Sequence, residues 1–350
     1  MDKIPIYKPW LTDVEKKYVA EAMDSTWISS QGKFVNLFEE KFAEFVGTKY
    51  AVSTCNGTMA CHLALLGAGV RAGDRVAVPD LTYVATANAV AFCGATVCPF
   101  DVNIKTWNME ITPNVALHSD HIFAVQLLGN PVKKNVEIIA SIIEDSCEAI
   151  GCYDADGKHA GSHISKCAAF SFFGNKTITT GEGGMVVTND TTTYNKLKHL
   201  RGHYHTGNYW HPKVGYNYRM TNVAAAVGCG QLQRIDLILY EKARVYNRYV
   251  NNLANQRHIS LQQCRHGEHG QWMFGIQVRN PKMLARILQS YGIDTRPMFH
   301  PISSLPMYKN CDVININAAF LHQHVLLLPS YPQLTNKQVD YICEVVKKHA

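Results

Sequence analysis

Short apolar runs alternate with helical segments from Tyr50 to Asp145, and this alternation limits the fold more than any other feature of the chain. "YAVSTC", "RVAVP", "ATVCPFD", "HIFAVQLLG" and "IIASIIED" are short, apolar and bounded by turn residues. Helical stretches lie between them, one opening after the Asn56-Gly57 turn from about Thr58 and one in "TYVATANAVAFCG". Strands joined by crossover helices pair in parallel, and such a sheet is covered on both faces. Two helices precede it: "TDVEKKYVAEAMDST", capped at Thr12/Asp13, and "NLFEEKFAEFVG", ending at Gly47. From about Gly151 the pattern changes. "GCYDADGKHAGS" predicts a hairpin turning at Asp156-Gly157, and "CAAFSFF" and "GMVVTND" add two strands. "TNVAAAVGCGQLQRIDLILYEKARVYNRYVNNL" reads as a long helical segment, broken near its glycines, that links a large domain to a smaller one. Beyond it come a strand in "WMFGIQV", a helix in "PKMLARILQSYG" and a last helix from about Thr335. The predicted class is α/β: a mixed, mostly parallel central sheet flanked by helices in a domain spanning 1–235, then a smaller α+β domain spanning 236–350.

Composition narrows the function. The formal net charge of +6 is spread over 34 basic residues with no stripe, which argues against a nucleic-acid partner. The 11 cysteines are odd in number and form no C-x-x-C pair, which predicts free thiols in a reducing compartment and not a zinc or disulfide framework. "MDKIPIYKPW" has no apolar signal core, and no apolar run is long enough to span a bilayer. The expectation is a cytoplasmic protein without a membrane partner.

The chemistry centres on Lys176, in "FFGNKTITTGEGGM". A phosphate-binding P-loop needs G-x-x-x-x-G-K-[ST], but here Asn175 separates Gly174 from the lysine and the other glycines follow it. The stretch is followed by a strand, so a dinucleotide-binding turn is excluded as well. A lysine amine can instead form a Schiff base with an aldehyde. Pyridoxal phosphate (PLP), the commonest aldehyde cofactor, also needs a carboxylate for its ring nitrogen, a flat partner for the ring and donors for its phosphate. Asp145 ends a buried strand, where open α/β sheets bind ligands; its plainer reading is a helix cap. Gly57 and Thr58 open a helix whose N-terminus attracts an anion, unless they are only a turn and cap. Ser171 adds a hydroxyl. Tyr83 follows a strand end and is a stacking partner or a core aromatic. Glu144 and Asp145 are adjacent on a strand and face opposite ways, so they are no acid/base pair. His199, His203, His205 and His211 cluster, with helical i, i+4 spacing between the first two, but no acidic partner or H-E-x-x-H accompanies them; no metal is expected.

The order of these residues matches the large domain of fold type I aminotransferases. The chain resembles the DegT–StrS family of sugar aminotransferases over nearly its whole length, nearest the perosamine-synthase branch. "SFFGNKTITTGEGGM", "WISSQGKFV", "NGTMACHLAL", "PDLTYVATANAV", "IEDSCEAIG", "GYNYRMTNVAAAVGCGQL" and "TRPMFHPISSLPMY" carry the resemblance. It implies that Lys176 is the Schiff-base lysine, that Asp145 pairs with the pyridine nitrogen, and that Glu148 lies near the ring. It also implies that Tyr83 stacks on the ring, and that Gly57, Thr58 and Ser171 hold the phosphate. Asn217 would reach the phosphate from a neighbouring subunit, which makes the active unit a homodimer with shared sites. Trp27, Ser29, Arg219 and His300 fall in segments that line the family's sugar-nucleotide pocket. The implied reaction moves an amino group from L-glutamate to a nucleotide-linked 4-keto-6-deoxyhexose, giving a viosamine- or perosamine-type sugar.

The chain departs from the family pattern in three places. The stretch from Pro131-Val132 to Glu144-Asp145 is shorter than usual, which predicts a shortened or missing helix. His300 stands where the branch usually has Tyr, and Ser303 where it usually has His. The last two leave guanosine, uridine and thymidine diphosphates open as carriers. Related dehydratases carry His in place of the lysine, so Lys176 favours transamination. A 3-keto-sugar aminotransferase, a non-catalytic PLP-binding regulator and a nucleotide-binding ATPase are the rival readings.

Overall fold

A computed structural model describes residues 3–132, 141–162, 165–309 and 315–350. Helices α1 (Asp13–Asp24) and α2 (Lys33–Val46) come first, followed by β1 (Tyr50–Thr54), α3 (Gly57–Ala68), β2 (Arg75–Pro79), α4 (Ala85–Phe92) and β3 (Thr96–Phe100). Then follow α5 (Pro113–Leu117), β4 (His121–Val125), β5 (Ser141–Asp145), β6 (Tyr153–Asp154), β7 (Ala168–Ser171), β8 (Gly184–Thr188) and α6 (Thr191–Arg201). Helices α7 (Asn222–Gln233) and α8 (Ile235–Leu253) precede the short strands β9 (Ser260–Leu261) and β10 (Gly267–Glu268). The chain closes with β11 (Phe274–Gln277), α9 (Pro281–Ser290), β12 (Arg296–Pro297), α10 (Ile316–His324), β13 (Val325–Leu328) and α11 (Asn336–His349).

Seven strands form the central sheet in the order β1-β8-β7-β5-β4-β2-β3. Every pairing from β7 to β3 is parallel, and only β8 runs against its neighbours. The carboxyl ends of β1, β2, β4, β5 and β7 therefore share one edge. One face packs on α2 and α7, where Phe38 and Phe42 meet Phe172 and Phe170 with ring centroids 5.0 Å apart in each pair. The other face is covered by Leu63, Ala64, Val90 and Leu197 from α3, α4 and α6. A separate antiparallel sheet, β12-β13-β11-β9, packs on α8, α9 and α11. No helix among the described residues is long and apolar enough to cross a membrane.

Local sequence explains most of the boundaries. Thr12 and Thr335 build reciprocal capping boxes with Glu15 and Gln338. Gly47 takes the left-handed conformation that ends α2. Asp154 O accepts from Gly157 N at 3.0 Å and Tyr153 bridges His159, so the predicted hairpin forms. The long helical segment breaks at Arg234 and not at its glycines. Arg234 leaves helical geometry at φ −115. Its guanidinium donates to Glu15 (2.8 Å) and Trp10 O (3.3 Å) and lies over the Trp10 ring. The glycines serve close packing instead: a Cβ on Gly228 would lie 2.6 Å from the Phe38 ring. The stretch read as shortened lies almost wholly at 133–140, outside the described residues, as does the start of the "IIASIIED" run.

The N-terminal segment runs between the two sheets. Ile4 is buried and bridges Ile293, with Ile4 N donating to Gly292 O at 2.8 Å and Asp294 N to Ile4 O at 2.9 Å. Further on, Tyr7 Oη donates to the backbone carbonyl of Lys176 at 2.6 Å.

Candidate active site

At the shared strand edge lies a cavity of about 360 Å³. Gly57, Thr58, Tyr83, Asp145, Glu148, Ser171 and Lys176 line it together. They arrive from five places in the fold: the start of α3, the loop after β2, the ends of β5 and β7, and the loop before β8.

Asn56 caps α3 by accepting from Met59 N at 2.9 Å. The N–H groups of Gly57 and Thr58 donate to no protein acceptor among the described residues, as expected for the first turn of a helix. A Cβ on Gly57 would sit 2.6 Å from both Cβ and Oγ of Ser171, so only glycine lets this helix end approach β7. The result is an anion cradle of two N–H groups, two hydroxyls and a helix dipole.

Asp145 is 6% exposed at the end of β5. Thr86 Oγ1 donates to its Oδ2 at 2.7 Å, and Cys147 N donates to Oδ1 at 3.2 Å. No ion pair holds the Asp145 carboxylate among the described residues, and a buried carboxylate is costly unless paired, so a cationic group entering the cavity meets a prepared counter-charge. Glu144, its neighbour in the strand, points the other way and bonds Gln126 and Gly161 N.

Lys176 Nζ lies 3.5 Å from Glu148 Oε1 and 3.9 Å from the centre of the Trp272 ring. Trp272 Nε1 donates to Asn175 O at 2.7 Å, locking the indole against the lysine loop. Leu128 N donates to Glu148 Oε2 at 2.8 Å from a left-handed backbone, φ 59, the kind of local strain that collects at functional sites. Burial pushes the Glu148 carboxyl up, against the opposing pull of the Lys176 ammonium and the Leu128 N–H. Tyr83, 57% exposed, forms the mouth of the cavity beside Phe299, their ring centroids 5.7 Å apart.

The remaining sequence-predicted residues do not line this chain's own cavity. Asn217 bridges Gly202 and is exposed. Trp27 borders a separate groove with Lys33 and Phe34. Ser29 O accepts from Asn222 N at 2.5 Å, and Arg219 is half-buried near Gly202. His300 lies against His322, ring centroids 4.1 Å apart and tilted by 38°, and its neighbour Phe299 reaches the cavity in its place. Ser303 is held by the buried Asp80, through Ser303 N at 2.7 Å and Oγ at 2.8 Å, so its side chain fixes a loop. In the histidine cluster, α6 ends at Arg201 and His203 has φ 61, so His199 and His203 share no helix. His199 instead stacks on Tyr204.

Sequence reasoning missed Trp272, Arg296, Phe299, Cys61 and Cys147 in the lining, and Thr86 behind Asp145. Trp272, Arg296 and Phe299 come from the small sheet and the loops around it, and no linear spacing connects them to Lys176. Thr86 follows Thr82 at helical spacing, their hydroxyls 3.0 Å apart; that pair was the one available signal.

The model of the DegT/DnrJ/EryC1/StrS aminotransferase family matches residues 9–347. The chain belongs to this family. Like other DegT/DnrJ/EryC1/StrS proteins it is a PLP-dependent aminotransferase with an α/β fold. The GDP-perosamine synthase of Escherichia coli O157:H7 is 42% identical over 363 residues, covering 99% of each chain. The GDP-perosamine synthase of Caulobacter vibrioides is 38% identical over 367 residues, covering 98% of this chain and 97% of that one. A solved structure of the GDP-4-keto-6-deoxymannose-3-dehydratase ColD, a histidine-to-asparagine mutant with bound GDP-perosamine, is 25% identical. It superposes with a TM-score of 0.89 over 98% of this chain and 100% of that one.

The cavity fits PLP on structural grounds. It combines a buried carboxylate, a lysine amine and a helix N-terminus that a side chain at Gly57 would block.

Proposed function

We propose that this enzyme transfers the amino group of L-glutamate to C4 of a GDP-linked 4-keto-6-deoxyhexose, giving a perosamine-type 4-amino-4,6-dideoxy sugar nucleotide. The carrying observation is the Lys176 amine, in the same cavity as the buried Asp145 carboxylate, in a chain whose relatives named GDP-perosamine synthase match it end to end.

Asp145 would hold the pyridine nitrogen, Tyr83 the ring, and Gly57, Thr58 and Ser171 the phosphate, with Lys176 as the amine that carries the cofactor. Bound there, PLP supplies an electron sink and a temporary carrier for the amino group. The Lys176 amine would hold and move the proton at the reacting carbon. Glu148 and Trp272 keep its Nζ in place on two sides. Arg296 lines the same cavity and offers a cation to anionic substrates. The two substrates use one cavity in turn, so the kinetics should be ping-pong.

The active unit is a homodimer in this reading. Asn217, Trp27, Ser29 and Arg219 lie apart from the chain's own cavity and are free to complete that of a second copy. The loop before Asn217 exposes Tyr209 (92%) and Trp210 (69%), apolar surface that a partner would cover. The described cysteines are all free, which suits the cytoplasm.

Turnover with glutamate and 4-keto-6-deoxyhexoses on guanosine, uridine and thymidine diphosphates tests the substrate. Preference for a uridine or thymidine carrier would overturn the guanosine assignment. Lys176→Ala should abolish both the cofactor's visible absorbance and turnover, and wild-type transamination by that variant would refute the role of the lysine. A glutamate half-reaction separates an enzyme from a PLP-binding regulator, because only the enzyme converts its cofactor.

A further inference from the structure

The same cavity holds a second constellation. Cys61, one turn into α3, and Cys147, two residues beyond Asp145, place their Sγ atoms 3.8 Å apart. With one carboxylate oxygen of Asp145, the three ligand atoms all lie within 4.8 Å of one another. Cys61, Asp145 and Cys147 all line the cavity, so the cluster opens to solvent when the cavity is empty. Cys61 is 1% exposed and Cys147 half-buried.

We propose that Cys61, Cys147 and Asp145 form a binding site for a thiophilic divalent cation, zinc foremost, that competes with PLP for the cavity. Two thiolates at about 2.3 Å from a tetrahedral zinc stand about 3.8 Å apart, the separation these sulfurs already have. A carboxylate oxygen at about 2.1 Å from the metal falls roughly 3.6 Å from each sulfur, within reach of a small rotation of Asp145. Three protein ligands leave a fourth position open to a water from the cavity. Sulfur donors select zinc or cadmium over magnesium and calcium, which take oxygen ligands. Binding is a ligand exchange without redox change: the cation gains two thiolates and a carboxylate, and two thiol protons pass to solvent. The other charged groups lining the cavity are Glu148 and Glu182 against Lys176 and Arg296, so the cavity does not repel a cation as a whole. The competition rests on the assignment of Asp145 to the pyridine nitrogen. The metal site itself does not, since it needs only the three side chains.

The test uses wild-type protein freed of PLP and titrated with cadmium chloride alone, read by the ultraviolet thiolate-to-cadmium charge-transfer band. One cadmium per chain is expected, displaced by zinc chloride. Cys61→Ser and Cys147→Ser should each lose at least about 100-fold in affinity, the upper range for disturbing even outer-shell partners of a metal. Circular dichroism checks that each variant is folded. In wild type, saturating PLP should suppress the band. No band in the wild type, or a full band in the Cys61→Ser/Cys147→Ser double variant, would overturn the site. A band that persists beside bound PLP would overturn the competition. Failure of the cofactor's own absorbance to appear would count against the PLP assignment and leave the cadmium result standing.

Discussion

Replacing Gly57 by alanine tests the phosphate cradle directly. The new methyl would meet Cβ and Oγ of Ser171 at 2.6 Å and its Cα at 3.3 Å. Ser171 is 6% exposed at the end of a paired strand, so it has little room to retreat. The N-terminus of α3 must move instead, and the N–H groups proposed to hold the phosphate move with it. Overpacking of this kind costs about 1–3 kcal/mol. If the cost falls on binding, the PLP dissociation constant rises roughly 5- to 150-fold. Titration of cofactor-free protein, followed by the cofactor's visible absorbance, measures it. Gly174→Ala is the control: it lies nearer Lys176 in sequence, yet its added methyl meets nothing within 4 Å. The reasoning fails if Gly57→Ala binds PLP within a factor of about two of wild type, a change below about 0.4 kcal/mol. It fails equally if the control is the more damaged of the two.

Two further outcomes concern stability. Burial lowers the His159 pKa to about 4; the ring's Nδ1 donates to Ala160 O at 2.7 Å and its Nε2 accepts from Gly151 N at 2.9 Å. The unfolded ring takes up its proton near pH 6.5, so stability should fall as pH drops from about 6.5 through 4, by about 3 kcal/mol in all. Urea unfolding across that window should show a shallower slope for His159→Gln, which cannot charge. Tyr7→Phe removes the donor to Lys176 O and should cost about 1 kcal/mol, seen as a lower midpoint in thermal unfolding.

Features set by neighbours in the chain were the legible ones. The Asn56 cap, the burial of β5 and the placement of Asp145 at its end follow from a few consecutive residues. So does the opposite facing of Glu144 and Asp145. The break at Arg234 depends on Trp10 and Glu15, far away in sequence, and the glycines that seemed to mark it were spacers, Gly228 for Phe38 and Gly230 for Glu15. Ser303 read as a departure bearing on the nucleotide carrier because nothing local reveals that Asp80, a buried acid, takes both its donors. Trp272 was invisible for the same reason: its indole meets Lys176 only because the small antiparallel sheet packs against the large one.

The strap formed by Ile4 and Tyr7 bears on how the protein is made. A ribosome releases Ile4 long before its partners Gly292 and Asp294. The central sheet can assemble while synthesis proceeds, but the Ile4 end of this strap has no seat until Gly292 and Asp294 have emerged. Such long-range closure is slow, and the same segment carries Tyr7, whose hydroxyl reaches the carbonyl of Lys176. A nascent chain that stops before Gly292 would therefore hold Asp145 and Lys176 without the seat for Ile4 that ties the N-terminal segment to the far part of the fold.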